Sequence, residues 1–431
     1  ERTKWIFRSR KELNVGRRNT NVLSLTLRGV VNNDPDSPEG MVPKDYATYQ
    51  LFRKHDLVFK LIDLENIRTS RVGLVHEDGI MSSAYVRLAP SKSVNIRFFY
   101  FQFFDLYTRA IFNALGAGVR STLGATDLGE LKIAIPPPDE QAAIVRFLDH
   151  ANRKIDGFIR AKRKLIGLLN EQKQAIIHRA ITRGLDPEVP LKPSGIPWLG
   201  DIPKHWDVLR AKYVFREMDE RSKTGNEEQL SVSHITGVTP RSQKNITMFK
   251  AESYVGHKIC RPGDLAVNTM WAWMAALGVS KHEGIISPAY AVYRQRKPER
   301  LLSDFADHLL RIAPYKLNYL SRSTGLRPSR LRLYPDAFFR IPIVIPPKDE
   351  QQQIVDSISV ATAALTTAIA RTEREIALMQ EYRTRLTADL VTGKLDVREA
   401  AAHLPAPPAD AVTESPTDEP LEDIETEDAE A

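Results

Sequence analysis

Glu130 and Lys132, in the run "GELK" (Gly129 to Lys132), have the Glu-x-Lys spacing found in many metal-dependent nucleases. The matching place in the second half of the chain reads "RIPI" (Arg340 to Ile343), and no convincing partner Asp lies upstream. A solvated strand edge therefore explains the pair better than a nuclease centre. Two acidic pairs, Asp139–Glu140 and Asp349–Glu350, also invite an acid–base reading. Each follows a run of prolines that forbids helix, so the Asp is expected to cap a helix and the Glu to meet its dipole. Asp56 and Asp264 precede apolar strands in the two halves and are expected to serve turns.

There is no Gly-rich phosphate loop, no Asn/Asp-Pro-Pro-aromatic motif, and no His-x-x-x-His spacing among the ten histidines. What remains is binding chemistry. "STGLRPSRLRLYP" (Ser323 to Pro335) holds Arg327, Ser329, Arg330 and Arg332, and its counterpart in the first half holds Arg120 and Ser121. A guanidinium donates two hydrogen bonds at once and suits guanine edges and phosphates. "VNTMWAW" (Val267 to Trp273) sets Asn268 and Thr269 beside Trp271 and Trp273, and Asn can read adenine bidentately. Strand core is the plainer expectation for the tryptophans. Lys60 and Arg71 complete the DNA-binding candidates; Trp273 is counted among them.

The elements that must carry these residues are written into a repeat. "IPPPDEQAAIV" (Ile135 to Val145) and "IPPKDEQQQIV" (Ile345 to Val355) share eight of eleven positions at an offset of 210. That offset holds without a gap for some fifty residues. Ile144, Leu148, Ala151, Ile155, Ile159, Ile166, Leu169, Ile176 and Ala180 face Ile354, Ile358, Ala361, Leu365, Ile369, Ile376, Met379, Leu386 and Leu390. Spacings of three, four and seven predict two long helices with a coiled-coil seam. Ile144, Leu148, Ile155, Ile159, Leu169, Ile354, Ile358, Leu365, Ile369 and Met379 are taken as seam and partner-docking positions. Each helix would span on the order of 60 Å and could not stand alone. The first carries ten Lys/Arg against five Asp/Glu and the second four against seven, so an antiparallel pair is expected.

The segments ahead of the helices also correspond. "TKWIF" (Thr3 to Phe7) resembles "AKYVF" (Ala211 to Phe215), "HDLVF" (His55 to Phe59) resembles "GDLAV" (Gly263 to Val267), and "GIMSSAY" (Gly79 to Tyr85) resembles "GIISPAY" (Gly284 to Tyr290). The expected fold is α+β: two pseudo-symmetric globular domains separated by a pair of long antiparallel coiled-coil helices. The boundaries read as a first domain at 1–138, spacer helix 1 at 139–183, a linker at 184–205, a second domain at 206–348, spacer helix 2 at 349–396, and a disordered tail at 397–431. Three prolines and two glycines between Leu191 and Trp206 mark the linker, with Trp198 and Trp206 pinning it to a domain surface.

Bulk composition sets the class. The 431 residues are 42% hydrophobic, and no uninterrupted apolar run is long enough for a membrane span; "FFYFQFF" (Phe98 to Phe104) reads as buried core. A single cysteine, Cys260, leaves no internal disulfide and favours a reducing cytoplasm. The net charge of +7 hides an asymmetry. Asp410 to Ala431 holds ten Asp/Glu and no Lys/Arg, which leaves +17 on the rest and points to a polyanion partner.

Together, the two "IPPxDEQ" motifs, the long helices, "SGIPWLGDIPKHWDVLRAKYVF" (Ser194 to Phe215) and "LTADLVTGKLDV" (Leu386 to Val397) resemble the specificity (S) subunit of type I restriction–modification systems. The resemblance covers both halves. It implies two target-recognition domains, each reading one half of an asymmetric, split DNA site, with the helix pair setting the gap. It implies no catalysis in this chain, which would dock two modification subunits that methylate adenine with S-adenosylmethionine. Motor-nuclease subunits using ATP and Mg²⁺ would join for restriction, a phage-defence role. Two departures stand out: the first half lacks a counterpart of "IPKHWDV", and the acidic tail has no place in the family pattern. An assembly scaffold with two protein-binding domains, and a stand-alone nuclease resting on Glu130 and Lys132, are the competing expectations.

Overall fold

The computed structural model describes residues 1–27, 29–34, 45–62, 64, 70–116, 122–243, 253–325 and 331–406. Two compact units divide the chain: Glu1–Lys164 joined by the chain from Thr372, and Leu165–Arg371. The architecture is α+β.

In the first unit the strands are β1 (Phe7–Ser9), β2 (Leu23–Thr26), β3 (Gly29–Asn32), β4 (Gln50–Phe52), β5 (Leu57–Phe59), β6 (Val72–Leu74), β7 (Gly79–Met81) and β8 (Val86–Pro90). Helices α1 (Ile96–Thr108), α2 (Ile111–Leu115), α3 (Ala125–Glu130) and the long α4 (Pro138–Arg183) follow. A four-stranded antiparallel sheet runs β1-β8-β5-β6, beside the pairs β2-β3 and β4-β7. The apolar run is α1: Phe98, Phe99, Phe101 and Phe103 are at most 1% exposed. The Phe99 ring meets Phe7 and the Phe103 ring meets Phe59 of the sheet edge-on, the offset geometry aromatic quadrupoles favour.

The second unit repeats the plan. A hairpin of β9 (Leu191–Pro193) and β10 (Asp201–Pro203) leads to β11 (Asp207–Arg210), α5 (Ala211–Val214) and β12 (Phe215–Met218). Then come β13 (Leu230–Ser233), β14 (Gly237–Pro240), β15 (Lys258–Cys260), β16 (Leu265–Val267), β17 (Leu277–Val279), β18 (Gly284–Ile286) and β19 (Ala291–Gln295). Helices α6 (Ser303–Arg311), α7 (Ala313–Arg322) and α8 (Pro335–Phe339), strand β20 (Pro342–Ile345), the long α9 (Lys348–Val391) and a short α10 (Arg398–Ala402) complete the chain. The sheet order is β12-β19-β16-β17, with pairs β13-β14 and β15-β18, matching the first unit strand for strand. Gly79 and Gly284 show why the "GI" of both copies is kept. A Cβ on Gly284 would lie 2.2 Å from the Glu228 carbonyl oxygen, and one on Gly79 would lie 2.8 Å from that of Asn21. In both places the next residue donates its N–H to that same carbonyl at 2.8 Å.

The long helices run antiparallel within each unit. In the first, Asp156 meets Arg383 and Lys162 meets Glu375 at 2.7 Å; in the second, Lys173 donates to Thr366 at 3.1 Å. Of these two ion pairs, Lys162–Glu375 follows the polarity expected from helix charge and Asp156–Arg383 reverses it. Ile144, Leu148, Ile155, Ile159, Ile354 and Ile358 are buried, whereas Leu169, Leu365, Ile369 and Met379 are half-buried. Thr362 and Thr372 sit buried in the same seam, so it is not a continuous apolar stripe. An 18-residue stretch of α9 is apolar enough by length and composition alone to cross a membrane.

Two boundaries change. Spacer helix 2 ends at Val391 rather than 396, because Gly393 takes a left-handed φ of +73° and Thr392–Asp396 turn. The stretch from 397, expected to be disordered, is ordered where it starts, since Val397 and Ala401 are buried and Arg146 bonds the Leu404 carbonyl. The acidic run from Asp410 lies outside the described residues. The linker is an ordered hairpin: Trp206 is fully buried and Trp198 packs edge-on against Tyr315 at 4.9 Å. Finally, Asp139 and Asp349 lie inside the first helical turn rather than capping it. The glutamine of each motif ties the start instead. Gln141 Nε2 donates to the Pro136 carbonyl and Gln351 Nε2 to that of Pro346, both at 2.8 Å.

Candidate nucleic-acid interface

In the second unit, β16 ends at Val267 and the chain turns through a 3-10 segment, Ala272–Met274, before β17. Asn268 makes that turn. It is fully buried; its Oδ1 accepts from the N–H groups of Met270 and Trp271 at 3.2 and 3.3 Å, and its Nδ2 donates to the Tyr290 hydroxyl at 2.9 Å. Buried and anchored in this way, Asn268 presents no edge to an adenine, so that expectation is corrected. Thr269 spends its hydroxyl on the Ala289 carbonyl at 2.9 Å. Trp271 and Trp273 are half-buried and stacked, 5.6 Å apart at 23°, so they are neither fully core nor fully open. The Trp273 indole N–H is shielded and has no partner among the described residues.

Two distant stretches meet here. Leu333 donates its N–H to the Thr269 carbonyl at 2.9 Å, which sets the arginine-rich stretch against the tryptophan turn. Thr324 and Arg332 exchange backbone hydrogen bonds at 3.0 Å, holding both ends of the segment between them. Leu333 is buried, so by strand alternation Arg332 and Tyr334 point outward. The Arg332 guanidinium lies 3.9 Å from the Met270 sulfur. Tyr334 is 55% exposed beside it, a surface aromatic that residue type and spacing did not single out. Arg327, Ser329 and Arg330 lie outside the described residues. Arg332, Tyr334 and the partly open tryptophans thus form a basic and aromatic patch suited to phosphates and base faces.

The first unit places its candidates at the same point of the fold. Leu123 donates its N–H to the Leu61 carbonyl at 2.9 Å, matching Leu333 and Thr269, and Lys60 donates its backbone N–H to Arg71 at 3.1 Å. Arg71, however, is 1% exposed, with Nη1 3.4 Å from the Ile62 carbonyl and its charge felt by Tyr85 and Tyr107. Burial raises both tyrosines, and Arg71 works against that rise. As a DNA contact Arg71 is corrected to a buried internal cation. Lys60 stays half-exposed, and Arg120 and Ser121 lie outside the described residues.

Two carboxylates expected to serve turns do more. Asp56 accepts from the Arg53 N–H at 2.7 Å and pairs with buried Arg87 at 2.6 Å. Asp264 accepts from the Arg261 N–H at 3.0 Å and takes Arg294 in a two-pronged grip at 2.7 and 2.8 Å. Glu130, the nuclease candidate, is occupied by Lys4 and by Arg2 at 2.7 Å, which clamp the N-terminal segment. The Lys4 hydrogen bond first, then the charges of Arg2 and Lys4, hold its carboxyl below the usual range. Among the described residues no three His, Cys, Asp or Glu side chains gather to hold a metal. Buried Cys260 has its thiol pushed up to about 12, chiefly by burial.

The seam residues were expected to dock partners as well, but the buried ones face the other helix. The apolar side chains the helices leave open are Leu165, Leu168, Val360, Leu378 and Tyr382.

The chain is similar to several known proteins. A family model described as the type I restriction modification DNA specificity domain matches residues 31–165. The putative type I restriction enzyme MjaX specificity subunit of Methanocaldococcus jannaschii is 23% identical over 286 residues, 65% of this chain. The chain spans 63% of that relative's length. Among solved structures, a chain from work on complex assembly and conformational transition of the type I R-M system shares the fold. It has a TM-score of 0.58 at 14% identity, covering 92% of this chain and 97% of that one. The HsdS subunit from Thermoanaerobacter tengcongensis aligns at 15% identity and a TM-score of 0.37, covering 92% and 96%.

Proposed function

We propose that this chain, which belongs to the specificity subunits of type I restriction–modification systems, reads a bipartite DNA site with its two domains. Each domain takes one half-site through the segments that meet at Leu61–Leu123 and at Thr269–Leu333. The side chains around those two points differ, so the half-sites differ and the whole target is asymmetric. The helices hold the readers at a fixed gap of unread base pairs, about one duplex turn between half-site centres. Their open faces dock two methyltransferase subunits. S-adenosylmethionine is assigned to those subunits, and ATP with Mg²⁺ to motor-nuclease subunits. This chain contributes recognition rather than catalysis, and the cytoplasm is its expected compartment.

The observation that carries the reading is the repeated domain: one sheet order, one placement of the meeting segments, two different sets of exposed residues. A random duplex library selected on the full chain, assembled with its methyltransferase, tests it. Two short specified blocks around a fixed unspecified spacer are expected, with affinity falling steeply with salt. An unenriched pool would overturn the reading and favour a protein scaffold.

A further inference from the structure

The chain builds the same turn twice after its long helices, and places a pair of arginines at only one of them. After α4, the Thr182 hydroxyl donates to the His178 carbonyl at 2.7 Å, and Asp186 Oδ1 accepts the Glu188 N–H at 2.9 Å. After α9, the Thr392 hydroxyl donates to the Ala388 carbonyl at 2.6 Å, and Asp396 Oδ1 accepts the Arg398 N–H at 3.0 Å. The leucines between, Leu185 and Leu395, are each 44% exposed. Yet where the first copy has His178, Arg179 and Arg183, the second has Ala388, Asp389 and Gly393.

The second end is neutralised internally, since Lys394 lies 3.7 Å from Asp389. At the first end neither Arg179 nor Arg183 has a side-chain partner among the described residues. Both line a solvent-open concavity of about 370 Å³, together with His178, Thr182 and Asp186. Cations near a helix C-terminus are favoured by its dipole, but α9 ends without a basic residue in its last turn and makes the same bonds. Two like charges one turn apart also repel. The fold therefore does not require this pair.

We propose that Arg179 and Arg183 form a phosphate site at the end of α4, filled in the working protein by the DNA backbone. Two guanidinium forks a turn apart can share one tetrahedral oxyanion, and burial of their charge by a ligand replaces their mutual repulsion. Unlike Arg332, these residues lie far in sequence from any reading segment, so their grip on the duplex is blind to base identity. The choice of DNA as the source rests on the function proposed above; the phosphate chemistry does not.

The test substitutes the second copy's own residues, Arg179→Asp with Arg183→Gly, in the full chain, where the same turn has already tolerated them. One arm measures affinity for an unrelated duplex against salt; the other titrates inorganic phosphate by calorimetry. The variant is expected to bind duplex about tenfold more weakly, with a log–log salt slope shallower by roughly one for each phosphate no longer neutralised. Coincident duplex curves, with phosphate heat lost only in the variant, would keep the site and reassign its ligand to free phosphate. Should the wild type bind no duplex, the DNA-reading function falls and the phosphate arm alone decides the site. Variant and wild type alike in both arms overturn the proposal.

Discussion

The indole N–H of Trp206 donates to Oε2 of Glu350 at 3.0 Å, and Nε2 of His205 lies 2.7 Å from the same oxygen. This single carboxylate joins the start of α9 to the end of the hairpin that follows α4. It also gives the second glutamate of the repeated motif a concrete task. Glu350→Ala should cost about 1.5–3 kcal/mol, the range for a hydrogen bond to a charged acceptor. Urea unfolding followed by Trp206 fluorescence would report it, and an unchanged midpoint would remove Glu350 from the frame.

Arg332→Ala and Tyr334→Ala should weaken DNA binding with no change in thermal midpoint. If Arg332 reads a base edge, its loss costs about 1–3 kcal/mol and relaxes one position of the target. Asn268→Ala should do the opposite. It removes the acceptor of the Met270 and Trp271 N–H groups and the amide that donates to the Tyr290 hydroxyl, lowering stability by about 1–3 kcal/mol. Paired binding and melting curves distinguish the two behaviours.

Asp56 and Arg87 are each 4% exposed at the side chain. Arg87→Met leaves a buried carboxylate without its cation and should destabilise by about 3–5 kcal/mol, whereas Asp56→Asn with Arg87→Met should recover part of that. A double variant no better than the single one would argue that the pair is not coupled.

His308 offers a pH signature. Burial, ahead of the charges around it, lowers its pKa from 6.5; Asp307 and Asp304 oppose the shift, while Arg311 and Lys173 add to it. The folded imidazole stays neutral while the unfolded one takes up a proton, so its contribution is present above 6.5 and fades as pH falls below it. His308→Asn should therefore flatten the loss of stability between neutral and mildly acidic pH. Parallel curves for the two proteins would sink this assignment.

Much of the frame is legible in the sequence because it is periodic. The offset of 210 and the heptad spacings locate both helices, and the paired islands locate equivalent strands. Hydrogen-bond partners are not legible in the same way. Gln141 and Gln351 sit between a tempting acidic pair and an apolar seam, and only the path of the preceding prolines shows what they bind. Nor does spacing reveal exposure: Asn268 and Arg71 have suitable side chains for nucleic acid, and tertiary packing turns both inward. Tyr334 escapes for the reverse reason, since an aromatic before proline reads as core until strand alternation turns it out.

The meeting of Leu61 with Leu123, and of Thr269 with Leu333, has an evolutionary corollary. Between β5 and β6 the first copy has twelve residues, 60–71, and the second has nine, 268–276. Between α2 and Leu123 the first has seven, 116–122, and between α7 and Leu333 the second has ten, 323–332. Three residues fewer on one side are three more on the other. The helices, by contrast, have accepted substitutions but no length change across some fifty positions. The two copies have thus traded length between neighbouring segments at one spot, with the summed length of the two segments unchanged.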